Sequence, residues 1–375
     1  MTTVCYQGPL LDFSGYGEAC RNIVSALDHV GVNVVGRSVR YSSVIGVDYG
    51  VSGELVDRCC SKTAPYKIKI FHVTPDEISR FRNPDDYNIA TVFWETDKLP
   101  PVFKDGLKYV NEIWTGSQAN VDALRKAGIT KPVFVFPQPM TTTTPDVEPY
   151  ESSQTEGFTG YLFYSIFEWH TRKNPDLLIH AFLNEFTDGE NVGLLLKTYF
   201  QSFTPANFAF IRDKVISLVA GHGNPTAKIF LELNPLSYSK IQSIHRRGDC
   251  YVSPHRGEGW GIPSVEAMAN GNPTISTGYG GVNEYVTNGV NGLKLPYTME
   301  PVTGMEHSPR YYMADQNWAS VTERDLRKWL RFAYKNQQVM GEIGETARLL
   351  VRDKFNYTVV GNMMKERLQT IEENL

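Results

Sequence analysis

Residues 253–276 read "SPHRGEGWGIPSVEAMANGNPTIS", gathering four glycines, three prolines and two glutamates, Glu258 and Glu266, into one short segment. Ahead of the glycines, "CYVSP" from Cys250 is a short apolar run of strand character. Behind them, "PSVEAMANG" reads as a helix: Pro263 stands where a first turn tolerates a missing N–H, and Gly271 is placed to end it. The glycines therefore fall between strand and helix. In an open α/β sheet such a loop lies at the carboxyl edge of the strands, where ligands bind, and presents free N–H groups at a helix N-terminus. Gly259 and Gly261 let backbone approach a phosphate or a sugar where a Cβ would collide. The carboxylates need another reason, because what they accept well is hydroxyl donors. Singly, Glu258 reads as a solvated loop acid and Glu266 as an exposed helix residue favoured by the dipole. Together with the glycines they suit a ligand with a diphosphate in the middle and a diol at each end, which is a sugar nucleotide.

Outward from this segment the chain alternates strand-like and helix-like runs. "TVCYQG" precedes "GEACRNIVSALDHVG"; "YKIKIFHV", "YNIATVFW" and "VNEIWTGS" lead into "QANVDALRKAG"; "KPVFVFPQP" is one more strand. The pattern restarts at "YLFYSIFEW" and runs through "NPDLLIHAFLNEF", "VGLLLKTYF", a helix near 207–220, "AKIFLEL" and "SYSKIQSIHRRG" to the opening segment. Such alternation predicts parallel strands with helical crossovers, hence two doubly wound α/β halves. Residues 140–160 are rich in Thr, Ser and Pro and read as the connection. The expected division is a domain at 1–145, a linker at 146–160, a second domain at 161–355 and a terminal helix at 356–375 that crosses back to the first. The aromatic insert 296–320 is expected to pack on its own domain.

Bulk properties exclude several classes. A chain of 375 residues exceeds one ordinary core. The formal charge of −4 gives no broad basic surface, which argues against sequence-blind nucleic-acid binding. Five cysteines form no C-x-x-C pair and read as reduced thiols. The N-terminal run lacks a secretory pattern, and no window reaches the length of a membrane span. The expectation is a cytoplasmic protein, at most peripheral at a membrane. Neither H-E-x-x-H nor D-x-D is present to suggest a metal.

"EGWGIPSVEAMANGNPTISTGYGGVNEYV" resembles the E-x7-E signature of retaining glycosyltransferases of family 4. That resemblance extends over nearly the whole chain and implies the GT-B fold, two Rossmann-like doubly wound domains facing an interdomain cleft. It implies that Glu258 holds the donor sugar's hydroxyls, that Glu266 holds the ribose, and that Gly259, Trp260, Gly261 and Ile262 offer backbone to sugar and phosphates. In "FEWHTRKNPDLLIHAF", Lys173 fits the family's lysine; the family's earlier arginine position holds Glu168 or a neighbour, so Arg172 would act from a different place. Lys197 in "LLLKTY" is a third cation candidate. Gly15 and Gly17, in "DFSGYGEACRN", sit in the loop with which the family closes over diphosphate and acceptor; alone, they read equally as a tight turn.

"IFHVTPDE" and "VFWETDKLP" resemble a subgroup of these transferases and place His72, Trp94 and Glu95 at strand ends, His72 and Glu95 toward the acceptor. A buried structural histidine is the competing reading for His72. His170 and His255 read as bland neighbours, solvent-facing or one layer behind the site. Asp249 and Glu284 read as loop ties.

The implied activity is metal-independent transfer of a hexose, with retention, from a UDP-sugar or GDP-sugar to the hydroxyl of a glycan, lipid-linked sugar or other acceptor, without a further cofactor. A nucleotide-sugar epimerase, a catalytically inactive binding module and a transferase acting on modified DNA bases are the alternatives.

Overall fold

A computed structural model describes residues 2–41, 53–142, 146–222, 227–305 and 308–375. Residues 143–145 of the Thr-rich connection and 306–307 of the aromatic insert lie outside the described residues. The chain divides into two units: 1–143 with 306–317 and 352–375, and 144–305 with 318–351.

In the first unit β1 (Thr3–Gly8), α1 (Gly15–His29), β2 (Asn33–Ser38), α2 (Gly53–Ser61), β3 (Ile68–Phe71), α3 (Ile78–Phe81), β4 (Tyr87–Thr91), α4 (Pro101–Leu107), β5 (Glu112–Thr115), α5 (Gln118–Lys126) and β6 (Val133–Val135) follow in order. The six strands form one sheet, β2-β1-β3-β4-β5-β6, parallel throughout. Alternate residues feed two cores, as period-two patterning requires. Val4, Tyr6, Val34, Ile68, Ile70 and Ile89 face one; Phe71, Ala90, Val92 and Ile113 face the other. Each fully buried aliphatic side chain contributes about 1.5–3 kcal/mol. Sequence order reverses between β1 and β3, so the ends of those strands flank the switch point of this sheet.

In the second unit β7 (Tyr161–Glu168), α6 (Pro175–Glu185), β8 (Val192–Tyr199), α7 (Pro205–Ala220), β9 (Lys228–Glu232), α8 (Tyr238–Arg247), β10 (Cys250–Ser253), α9 (Ile262–Ala269), β11 (Thr274–Thr277), β12 (Leu293–Leu295), α10 (Glu323–Lys335) and α11 (Gln337–Lys354) follow. Their sheet, β12-β11-β10-β7-β8-β9, is also parallel. Phe163 and Phe167 of β7 point to the core shared with Leu178, Ile179 and Phe182 of α6. Leu162 and Tyr164, one residue out of phase, pack with Ile244 of α8 and Ala267 of α9. Here the order reverses between β7 and β10. The loops after those two strands are thereby brought together, and they hold the residues on which the sequence reading turned.

The last helix, α12 (Tyr357–Glu372), belongs to the first unit. Asn356 caps it by accepting from Val359 N at 2.9 Å, and Val360, Met364 and Leu368 share a core with Ile23 and Leu27 of α1. A Cβ on Gly361 would stand 2.5 Å from Ala26 O, so the two helices cross where only glycine fits. From Tyr150 onward, the stretch expected to be a linker is packed on the second unit. Tyr150 N–H donates to Ser243 O, and the Gln154 amide exchanges two hydrogen bonds with the Leu231 backbone at the open edge of β9. Residues 308–317 of the insert lie in the first unit, not with the flanking second-unit segments as expected. Their aromatic rings find an apolar seat there: Tyr312 stacks on Trp94 and Tyr311 packs on Phe103. No helix among the described residues is long and apolar enough to cross a membrane.

Candidate functional site

The loop after β7 makes one 3-10 turn, Thr171–Lys173, and enters α6 through Asn174, which is left-handed at φ 57°. Asparagine tolerates that region better than other non-glycine residues. Its amide donates to Pro254 O at 3.2 Å, and Arg256 N–H donates to Arg172 O at 2.7 Å. These bonds stitch the loop after β7 to the loop after β10. Arg172 Nη1 adds a bond to Gly257 O at 2.8 Å and lies 3.5 Å from one carboxylate oxygen of Glu258; Lys173 Nζ donates to the other.

Glu258 is 9% exposed. Burial alone would raise its pKa, but the charges of Lys173 and Arg172 outweigh it and bring the carboxyl down to about 2. The site thus keeps a desolvated carboxylate ionised at neutral pH, flanked by two cations.

Gly261, at φ 94°, is the residue before α9, and a Cβ there would meet Tyr285 Oη at 2.8 Å. Tyr285 Oη donates to Trp260 O at 2.8 Å. Behind the loop, Gly281 N–H donates to Glu258 O, and a Cβ on Gly280 would stand 2.4 Å from that same oxygen. Glu266 is buried in α9; Gln242 Nε2 reaches its Oε1 at 3.4 Å, and His245 Nε2 lies 3.6 Å from Oε2. Residues 257–266 thus run from a carboxylate, through a glycine-permitted bend and the start of a helix, to a second carboxylate.

Lys197, in β8, is 3% exposed and pairs in register with Glu232 of β9. Burial brings its pKa down to about 8, with the Glu232 charge opposing; its ammonium lies over the Phe203 ring, 5.5 Å from the centroid. Glu232 itself accepts from Tyr150 Oη and from Asn234.

The remaining expected residues lie in the first unit. Gly15 opens α1 under the Ser14 cap, with nothing within 4 Å of where a Cβ would be. Gly17 is packed tightly, since a Cβ there would stand 2.3 Å from Asp12 O. His72, just past β3, is fully buried; Tyr6 Oη shares a 2.6 Å hydrogen bond with Nδ1, and Nε2 has no partner among the described residues. Burial lowers its pKa to about 3, so the ring is neutral. Tyr16 packs edge-on against it at 4.7 Å. Trp94 is committed to the fold: its indole N–H donates to Thr96 Oγ1 and Lys98 O beneath the Tyr312 ring. Glu95 accepts from Tyr312 Oη at 3.2 Å.

One expectation narrows. Of the two readings of His255 the solvent-facing one falls, because the ring is buried at 1% exposure beside Glu258, Lys173 and Arg172. Glu284 is exposed at the end of the 3-10 turn Gly280–Glu284, and Gly280, Gly281 and Tyr285 support the loop that carries Glu258. The "GYGG" after β11 was the available signal for that support. Asp249 ties loops as expected, accepting from Leu162 N at 2.7 Å.

With this geometry in place, the chain can be compared with known proteins. Residues 212–299, which include Glu258 and Glu266, match the family model of glycosyl transferases group 1. Over 57 residues, 15% of this chain and 16% of the relative, the sequence is 42% identical to an uncharacterized glycosyltransferase of Methanocaldococcus jannaschii. Over 79 residues, 21% of this chain and 22% of the relative, it is 32% identical to the lipopolysaccharide core biosynthesis mannosyltransferase LpsB of Rhizobium meliloti. The chain thus spans under a quarter of the length of these curated relatives. The whole fold is shared more widely. Sucrose-phosphate synthase from Thermosynechococcus elongatus superposes with a TM-score of 0.70 over 100% of both chains at 13% identity. Anabaena HepE in complex with UDP-glucose gives 0.67 over 99% of this chain and 100% of that one at 14% identity. The fold is the GT-B type, two Rossmann-like α/β units.

Proposed function

We propose that the protein is a retaining, metal-independent glycosyltransferase that moves a hexose from a nucleoside diphosphate sugar to an acceptor hydroxyl. The observation that carries this reading is the ionised, buried Glu258 between Lys173 and Arg172 at the switch point of the second sheet, with Glu266 one loop and one helical turn further on. A carboxylate kept charged away from water accepts strongly from sugar hydroxyls. The two cations and the amides at the start of α9 suit the diphosphate, whose charge grows as the glycosidic bond breaks. Glu266 then accepts from the ribose. The HepE complex with UDP-glucose supports a uridine donor, and the LpsB likeness supports testing a guanosine donor beside it.

In the proposed step the acceptor oxygen forms a bond to the anomeric carbon while the bond from that carbon to the phosphate oxygen breaks. The electron pair leaves with the nucleoside diphosphate, and the acceptor proton passes to the departing phosphate oxygen. Retention follows if both events share one face of the sugar. Lys173 gives up part of its contact with Glu258 to the phosphate as the donor seats, and its charge stabilises the leaving group. Loss of one such electrostatic stabiliser costs about 10²–10³ in turnover.

Incubation with UDP-glucose or GDP-mannose and a panel of glycan and lipid-linked acceptors, read by mass spectrometry, is expected to yield a product one hexose heavier, undiminished by a chelator. Glu258→Ala is expected to abolish that product while melting cooperatively. Full turnover in this variant, or dependence of the wild type on added divalent metal, would refute the scheme.

A further inference from the structure

The loop after β10 holds one buried group that the scheme above does not use. His255 is buried, and neither Nδ1 nor Nε2 has a hydrogen-bond partner among the described residues. The chain on either side of it is fixed, Pro254 by Asn174 and Arg256 by the Arg172 carbonyl. Around it stand the charges of Glu258, Lys173 and Arg172. Buried polar atoms are nearly always paired, and one left unmet costs stability in the free protein. A neutral imidazole has one donor and one acceptor to satisfy. Burial, the largest influence on this ring, lowers its pKa to about 4 against the opposing pull of Glu258, so it is neutral at pH 7.

The ligand that answers both needs is a hydroxyl, or a pair of neighbouring hydroxyls, because each both donates and accepts; a phosphate oxygen only accepts. We infer that His255 is a sugar-binding residue of the donor site, its ring satisfied only when the hexose of a nucleoside diphosphate sugar is seated beside Glu258. This rests on the donor reading of the site. It separates the sugar from the nucleotide, since His255 contributes to the first and not to the second.

Calorimetry on the full chain tests it, using UDP-glucose against UDP and GDP-mannose against GDP. His255→Phe keeps a flat ring and removes both polar atoms. The expected result is a loss of about tenfold or more in affinity for the sugar nucleotide, with affinity for the nucleotide alone within about twofold of wild type. Ligand-free His255→Phe should melt at or above the wild-type temperature, because an unpaired polar ring has been exchanged for an apolar one. His255→Gln, which keeps a donor and an acceptor, should lie closer to wild type in sugar-nucleotide affinity.

Equal losses for sugar nucleotide and nucleotide, or unchanged affinity in the Phe variant, overturn the inference while leaving the donor reading intact. A wild-type chain that binds neither pair overturns both. If His255→Phe does not fold, nitrogen-15 shifts of the wild-type His255 ring decide: they should move on addition of the sugar nucleotide and not of the nucleotide, and the absence of that difference overturns the inference.

Discussion

Glu258 and Lys173 show why a buried ion pair is better evidence of purpose than of stability. Two charges removed from water are repaid only if every lone pair and proton finds a partner, and an apolar pair of the same volume is often as stable. Here the carboxylate is held in readiness by cations that a phosphate can borrow. Removing one partner should therefore be worse than removing both. Lys173→Met leaves Glu258 buried with Arg172 as its remaining permanent cation, and is expected to cost about 1–3 kcal/mol, a fall of several degrees in melting temperature, together with about a hundredfold or more in turnover. Adding Glu258→Gln to that variant should recover most of the stability and none of the turnover. A double variant that melts no higher than Lys173→Met would show that the pair is not coupled in this way.

At the scale of the element, two glycine-bearing turns invite opposite outcomes. A Cβ on Gly281 would stand 2.4 Å from Gly259 O and 2.6 Å from Trp260 Cα, both backbone atoms that can move only with the loop carrying Glu258. Gly281→Ala is expected to cost about 1–3 kcal/mol, the usual range for overpacking, and to depress donor affinity through the displaced loop; calorimetric melting and donor titration check both. Gly15 is different, for a Cβ there meets nothing, and the residue begins α1, where alanine is the better helix former by up to about 1 kcal/mol. Gly15→Ala should melt no lower than wild type. If the open space at Gly15 is where substrate passes close to backbone, the same variant raises KM; an unchanged KM would assign this glycine to the turn alone.

Across the molecule, each unit keeps one histidine neutral by burial: His72 in the first, at about 3, and His255 in the second, at about 4, against an ordinary 6.5. The unfolded chain takes up these protons as pH falls below 6.5 while the folded chain does not. Their contribution is fully present above 6.5 and is lost progressively as pH falls toward 4 and 3. Each proton changes stability by about 1.4 kcal/mol per pH unit within its window. Glu258, lowered to about 2, acts in the same direction below its ordinary 4.5. Melting temperature followed by circular dichroism should fall steeply from pH 6.5 to 4, and His255→Phe should flatten part of that fall. A profile level across this range would contradict the burial of both rings.

Much of this architecture was written in local pattern. The strand-to-helix alternation, the Pro263 start and Gly271 stop of α9, and the sequence neighbourhood of Arg172 and Lys173 are properties of a few adjacent residues, where period, propensity and turn chemistry act. Less legible was β2, "NVVGRS", whose Gly36 weakens any strand pattern; the residue is explained by α2, since a Cβ there would stand 3.2 Å from Cys59 and Cys60. Gly280 and Gly281 look like an ordinary turn until Glu258 is seen to rest on them. Nothing near Trp94 in the chain, where it reads as a strand-end residue, shows that Tyr312, more than two hundred positions away, covers it. By itself the sequence determined which segments become strands and helices and which acids and bases stand at strand ends. Only the tertiary structure decided that Glu258 meets Lys173, that His255 is dry, and that residues 308–317 join the first unit, because desolvation and pairing depend on neighbours brought together by the sheet order and not by the chain.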